Sequence, residues 1–392
     1  MILTLLAFAG LAVWFYLVVF HGGFWRLTER DADFAPRGAP APVGVAVTAI
    51  IPARDEADVI GQCLSSLLAQ QFCGRLDIVL VDDQSTDGTP ETAKACAAIH
   101  GDTGRLTVLT TDGPASGWTG KLAAMQRGFD HVLGLSKVPD FVLFCDADIA
   151  FGPAALERLA AGAVARKTVL ASLMVKLRCE SRAERCFVPA FVFFFQMLYP
   201  FARVNDPKSP TAAAAGGVML VRPEALARAG GLKAIRGALI DDCALGALMK
   251  RQGPIWLGLT DAVHSLRPYP GLKDIERMVT RSAYAQLNYS PLRLFGAVLG
   301  MIVVYLAPPL IALFGEASAR DAALVACLLM AQAYMPSLRF YNLSRAYALA
   351  LPLIAACYTW FTLESARQHM LGRGGAWKGR YQAPASGQDF EP

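Results

Sequence analysis

Apolar runs and polar breaks alternate along the chain, and their period changes from one stretch to the next. Met1 to Phe20 carries no charge and is long enough to span a bilayer. Val45 to Ile51 is a short apolar run that predicts a buried strand. Val59, Ile60, Cys63, Leu64, Leu67 and Leu68 then recur at helical spacing. Further strands are predicted at Ile78–Val81, Leu106–Leu109, Phe141–Cys145, Val169–Val175, within Ala212–Val221, and at Ile255–Leu259. Helices are predicted from Pro90 to about His100, from Gly120 to about Leu133, from Asp241 to about Gln252, and over Lys273–Asn288. Strand–helix alternation with acidic or glycine-rich strand ends predicts an α/β fold on a parallel, doubly wound sheet.

The two ends of the chain follow another pattern. Leu294–Phe314, Ala322–Met335 and Ala346–Leu363 are apolar stretches separated by short charged loops. The expected domains are an N-terminal transmembrane anchor over 1–23, a catalytic domain over 40–290, membrane segments over 291–364, and a basic tail over 365–392. Ala35–Val43, rich in Pro, Gly and Ala, reads as a linker. Cys186–Ala202 is apolar and aromatic between arginines. It reads either as an interfacial helix, near 186–202, dipping into one leaflet, or as a core helix. Arg26, Arg30 and Arg37 follow the first apolar segment and nothing basic precedes it. The positive-inside rule therefore puts the next domain on the cytoplasmic face of a multi-pass membrane protein. Three further crossings would leave Arg367, Arg373, Lys378 and Arg380 on the far side. The stretch from Ala322 has only about fifteen residues, short for a span. One of the three segments is therefore expected to be re-entrant or interfacial.

Composition narrows the classes. Of 392 residues 54% are hydrophobic and 18% charged. That is too apolar for a purely soluble enzyme and too charged for a pure membrane bundle. The net charge of +5 suits an anionic surface or a phosphorylated substrate and is too scattered to argue for nucleic acid. The nine cysteines contain no C-x-x-C pair and read as buried hydrophobes. No G-x-G-x-x-G follows the first strand, which argues against a dinucleotide dehydrogenase.

The candidate chemistry sits at strand ends, where ligands bind in open α/β sheets. The run Phe141–Cys145 ends in Asp146-Ala147-Asp148. Two carboxylates converging there repel unless a hard divalent cation, Mg²⁺ or Mn²⁺, lies between them and takes oxygens from a partner such as a diphosphate; read by itself the motif also fits a solvated turn in which Asp148 caps the next helix. Pro52-Ala53-Arg54-Asp55-Glu56 follows the first strand and Asp82-Asp83 the second. Lys121 opens a helix after Gly120. Gly216-Gly217 would let a backbone approach a ligand closely. Asp241-Asp242 opens another helix, as a cap pair or as something more. Arg277 and Arg281 lie one turn apart on one helical face. They read as a diphosphate clamp or as a solvated face that meets anionic lipid.

In this fixed order the motifs Pro52–Glu56, Asp82-Asp83-x-Ser85-x-Asp87-Gly88-Thr89, Asp146-x-Asp148, Asp241-Asp242 and Arg277-x-x-Arg281 resemble the family-2 inverting glycosyltransferases of GT-A fold. More narrowly they resemble the ceramide-glucosyltransferase-like branch, and within it the bacterial hopanoid-associated members. Trp377–Tyr381 is similar to a cytoplasmic tail motif of such enzymes. The resemblance implies a Rossmann-like nucleotide-diphospho-sugar transferase domain flanked by transmembrane helices. It also implies a UDP-sugar donor, a membrane lipid acceptor of hopanoid or sphingoid type, and a divalent metal. It assigns Pro52, Ala53, Glu56, Asp83, Lys121, Asp146, Arg277 and Arg281 to the nucleotide sugar, and Asp148 with Asp146 to the metal. Asp242 becomes the general base, with Gly216, Gly217 and Asp241 on the acceptor side. Ser282 stands where processive members carry tryptophan after the second arginine. That departure suits a lipid glycosylated once. A polyprenyl-phosphate glycosyltransferase and a catalytically silent membrane scaffold are the rival readings.

Overall fold

Every predicted strand is present in the computed structural model, which describes residues 1–36 and 41–382. Arg37, the middle of the linker, the expected domain start at residue 40 and the end of the tail lie outside the described residues. The chain forms two compact units. One is Thr28–Arg178 with Phe201–Pro268; the other is Met1–Leu27 with Cys179–Pro200 and Tyr269–Pro392. The stretch expected as one domain over 40–290 is thus divided. Residues 179–200 and 269–290 cluster with the apolar helices.

The first unit is built on strands β1 (Ala46–Ala53), β2 (Arg75–Asp82), β3 (Leu106–Thr110), β4 (Phe141–Cys145), β5 (Ile149–Phe151), β6 (Leu170–Lys176), β7 (Val218–Val221) and β8 (Ile255–Ser265). They form one sheet in the order β3-β2-β1-β4-β7-β6-β8-β5. β4 and β7 are buried along their whole length, as expected of strands covered on both faces. β1, β2, β3 and β4 run parallel. The expectation of an all-parallel sheet fails at β7, which pairs antiparallel with both β4 and β6. A fully buried run has no polar face and carries no mark of its direction. β5 was not predicted, because three residues are too few to show a period. It pairs antiparallel with β8, which continues past Leu259 to Ser265.

Helix Gly120–Leu133 lies on β1 and β2 with Thr119 as its N-cap. Gly128 permits the close approach. A Cβ there would come within 2.5 Å of Ile50 Cγ2 and 3.1 Å of Val81 Cγ2. The first turn of this helix is thereby held over the carboxyl ends of the strands.

Among the described residues four helices, all in the second unit, are long and apolar enough to cross a membrane: Ile2–Val19, Pro291–Phe314, Ala317–Phe340 and Arg345–Met370. Ala317–Phe340 has 24 residues, so the premise that this segment is too short to span does not hold. Its charges, Arg320, Asp321 and Arg339, stand near the helix ends and shortened the apolar run as read. Leu5, Phe8, Phe15, Leu292, Phe295, Leu310, Leu328 and Trp360 point outward and are exposed. Between the helices the contacts are made by small residues: Ala7, Ala307, Ala319, Ala322 and Ala323 are buried together with Ile311. Helix Arg182–Leu198 opens with a Ser181–Glu184 capping box. Its Phe193 and Phe194 rings meet Phe24, Tyr334, Tyr305 and Tyr358. The segment Trp377–Tyr381 is a hairpin whose turn, Lys378-Gly379, has positive φ at both residues.

Pro308 lacks the N–H that would bond the carbonyl of Val304 one turn earlier. The helix answers with a π-turn at Ile302–Leu306, and Trp14 Nε1 donates to the Val304 carbonyl at 2.8 Å. The indole is fully buried and packs edge-on against Tyr305. Trp14→Phe keeps the ring and removes the donor. The expected loss is about 1–3 kcal/mol, the cost of a buried acceptor left unpaired. Thermal unfolding in detergent measures it, and an unchanged midpoint would show that the carbonyl needs no partner.

Candidate active site

β1, β2 and β4 are parallel, so their carboxyl ends share one edge of the sheet. The first two ends are stitched together. Pro52 and Ala53 close β1 beside Val81 and Asp82, and Ala53 is buried. Asp83 N–H donates to the Ala53 carbonyl at 2.8 Å, and an Arg54 guanidinium nitrogen donates to the Asp83 carbonyl at 2.6 Å. Asp55 N–H donates to Ser85 Oγ and Glu56 N–H to Thr89 Oγ1. Burial opposes charge on Asp87, yet hydrogen bonds from Thr89 and from Ala57 N–H hold its carboxyl below the usual range. Asp55 and Gln84 both sit in the left-handed region, at φ 51° and 61°. Such conformations in non-glycine residues persist where the surroundings over-determine them. Asp83 is 1% exposed; its Oδ1 accepts from Thr111 Oγ1 at 3.1 Å and its Oδ2 lies 4.0 Å from Arg54.

At the end of β4 the two carboxylates of Asp146 and Asp148 take different partners. Lys121 Nζ lies 2.8 Å from Asp146 Oδ1 and 3.1 Å from Asp241 Oδ2. The second contact is an ion pair without hydrogen-bond alignment. Arg267 Nε donates to Asp148 Oδ2 at 2.8 Å, and another nitrogen of the same guanidinium donates to Glu56 Oε2 at 2.6 Å. Asp146 N–H reaches back to the Gly217 carbonyl.

Asp241 and Asp242 form the first turn of helix Asp241–Lys250. Asp242 Oδ2 accepts from Gly216 N–H at 2.9 Å and Oδ1 from Cys243 N–H at 2.7 Å. A Cβ on Gly216 would stand 3.3 Å from Lys121 Nζ and 3.4 Å from Asp242 Oδ2. Gly216 thus marks the spot where the ammonium and the carboxylate come together. The role of Gly217 is different: a Cβ there would press on Val175 and Ile149, so this glycine serves packing in the sheet.

The charges follow from this geometry. Burial works against the ammonium of Lys121, but Asp146, Asp241 and Asp242 carry its pKa well above the ordinary value. Burial raises the Asp146 carboxyl, against the pull of Lys121 and with the push of Asp148. The Asp242 carboxyl is pushed up to about 6, first by burial and then by Asp241; Lys121 and the N–H groups of Cys243 and Gly216 oppose the rise. A carboxylate with that value can take a proton near neutral pH.

Among the described residues no group of three or more His, Cys, Asp or Glu side chains is arranged to hold a metal. The donors present still fit Mg²⁺ or Mn²⁺, which bind through one or two carboxylates and complete their shell with water and substrate phosphate. Asp146 and Asp148 are such a pair, and each already attracts a cation of the chain itself.

Glu56, Asp146, Asp148, Lys121, Asp241, Asp242 and Gly216 are thus joined in contacts at the sheet edge. Arg277 and Arg281 belong to the other unit, on helix Leu272–Thr280 and its C-cap. Arg277 is largely exposed and pairs with Asp274. Arg54, Thr111 and above all Arg267 were missed. The signal for Arg267 was the length of β8. That strand is parallel to β6, and both run with β4, so its carboxyl end reaches the same edge. Ending it at Leu259 hid this.

Residues 48–229 match the family model described as glycosyl transferase family 2. A 4,4'-diaponeurosporenoate glycosyltransferase of Staphylococcus aureus (strain USA300) is 36% identical over 106 residues, 27% of this chain. The chain spans about a quarter, 24%, of the length of that relative. A mannosyltransferase of Pyrobaculum calidifontis, solved with GDP-Man and Mn²⁺, superposes with a TM-score of 0.52 at 20% identity, over 93% of this chain and 98% of that one. That likeness shows the fold. Residues 48–229 thus match a glycosyl transferase family 2 model, and the mixed α/β sheet has the GT-A fold.

Proposed function

We propose that the chain is a membrane-anchored, metal-dependent, inverting glycosyltransferase. It moves a sugar from a UDP-sugar to a hydroxyl of a membrane lipid, of hopanoid or sphingoid type by resemblance. One observation carries the reading. Lys121 ties Asp146, on the donor side, to Asp241, on the acceptor side, while Asp242 stands against the same ammonium across Gly216.

In this scheme Glu56 and Asp83 accept hydrogen bonds from the nucleoside, beside the closely packed Pro52-Ala53 end of β1. Asp148 and Asp146 would hold Mg²⁺ or Mn²⁺, which would supply positive charge to offset that of the departing diphosphate. Asp242 removes the acceptor proton as the acceptor oxygen bonds to the anomeric carbon and the bond to the diphosphate breaks. One displacement with one base inverts that carbon. The catalytic unit is assigned to the cytoplasmic face of a bacterial inner membrane by Arg26 and Arg30 after the first helix. An even number of later crossings would keep the basic tail on that face.

A second reading, transfer to a carboxylate, is suggested by the Staphylococcus relative, whose name gives the anion of a carboxylic acid as its acceptor. A carboxylate is anionic at neutral pH and needs no base. Asp242 therefore separates the two. For a hydroxyl acceptor, Asp242→Asn should lower kcat about 10²- to 10⁴-fold, the usual range for a lost general base, with donor affinity kept. A variant at parental rate would favour a carboxylate or phosphate acceptor, and would leave a silent scaffold open if the parent is equally inert.

The pH profile is a second check. The base works as the anion, so kcat/KM should rise with pH through about 6 and level off above it. A flat profile between pH 5 and 7, or a fall with rising pH, contradicts the assignment.

Membranes holding the protein should transfer label from a radiolabelled nucleotide sugar into extractable lipid. Addition of a chelator should stop the transfer, and Mn²⁺ or Mg²⁺ should restore it. Labelled lipid formed equally well under chelation would remove the metal from the scheme. No labelled lipid from any donor would remove the scheme itself.

A further inference from the structure

Each carboxylate of the Asp146-x-Asp148 pair is held by a cation of the chain, and the two cations differ in kind. The Lys121 ammonium is locked between Asp146 and Asp241, with Asp242 beside it. The Arg267 side chain is 33% exposed and bridges Asp148 to Glu56, which are 13% and 9% exposed. Arg267 stands two residues past the end of β8, and Leu266 N–H is bonded to the Asp148 carbonyl at 2.7 Å. The guanidinium is thus brought to Asp148 by the backbone. Burial opposes its charge, and Asp148 and Glu56 more than restore it.

An ion approaching Asp148 meets a bound oxygen and a like charge. A diphosphate changes that balance. Its oxygens match the planar fork of a guanidinium at least as well as two separate carboxylates do. We propose that Arg267 is a positioning residue that makes metal binding depend on the nucleotide. It holds Asp148 until a nucleoside diphosphate draws the guanidinium away, and the freed carboxylate then takes the ion. The proposal rests on the donor reading above and names the residue that couples its two ligands. Coupling of this kind is reciprocal: the nucleotide tightens the metal by the factor with which the metal tightens the nucleotide.

The test is a binding cycle on the full chain in detergent, with no turnover. Free Mn²⁺ is followed by electron paramagnetic resonance, and UDP or GDP binding by calorimetry, each with and without the other ligand. In the parent, nucleotide should tighten Mn²⁺ about tenfold or more, within the ordinary range of coupling between sites. In Arg267→Gln, Mn²⁺ alone should bind roughly tenfold tighter than in the parent, and the coupling should collapse toward one. Arg267→Lys keeps the charge but loses the planar fork that donates to Asp148 and Glu56 through separate nitrogens. It should fall between the two, and it carries the test if the glutamine variant does not fold. Parental Mn²⁺ affinity together with parental coupling in either folded variant overturns the proposal and leaves the donor reading intact. Absence of any coupling between Mn²⁺ and either nucleotide in the parent overturns the donor reading, and the proposal with it.

Discussion

Negative charge gathered at the carboxyl edge of one sheet is the constraint on which this site is built. Asp146, Asp148, Asp241, Asp242 and Glu56 converge from strand ends and a helix start that are far apart in sequence. Carboxylates this close and this buried repel one another and lose hydration. The fold meets both costs with two internal cations, Lys121 and Arg267, each shared between carboxylates. The helix that carries Lys121 can approach because Gly128 leaves room for Ile50 and Val81. A packing detail on one face of the sheet therefore sets where an ammonium stands at its edge.

The strand ends were legible because an apolar run that stops at a carboxylate is a strong local signal. β2 and β4 show it directly, and β1 stops just before Arg54, with Asp55 and Glu56 next. Direction was not legible. β7 and β6 are as apolar as β4, and only the path of the connecting chain decides that β7 is reversed. Arg267 was invisible for a related reason. Nothing in Leu266-Arg267-Pro268 marks a site, and its place follows from β8 running on to Ser265 through exposed Asp261 and His264. Exposed polar residues inside an edge-ward strand look like its end. The acid side of the site could be read from the sequence; its cationic half could not, apart from Lys121.

The apolar unit shows the same division. Length and lack of charge revealed helices, but alanine-rich Ala317–Phe340 was cut short by polar residues near its ends. What orders that unit is not hydrophobicity alone, which all four helices share. It is also small residues that let backbones meet, and the satisfaction of backbone groups that proline leaves unpaired. Gly10 illustrates the first: a Cβ would stand 3.0 Å from the Val303 carbonyl and 3.2 Å from Pro308 Cγ. Trp14, one helical turn on, serves the second at Val304. Both residues of the N-terminal helix address the one break in Pro291–Phe314.

Asp241 and Asp242 show how one helix start can supply two roles. Both are acids in the first turn, where the helix dipole favours an anion. Asp241 faces the Lys121 ammonium at 3.1 Å as an ion-pair partner. Asp242 is held instead by two backbone N–H groups, which fix its orientation and leave a proton-accepting site on the carboxylate. Burial and the charge of Asp241 then raise its basicity toward neutrality. Two chemically identical neighbours are separated by what each one touches. The pattern Asp-Asp alone does not show what each carboxylate touches; Gly216 N–H on one and Lys121 on the other tell them apart, and the proposed function gives the base role to Asp242.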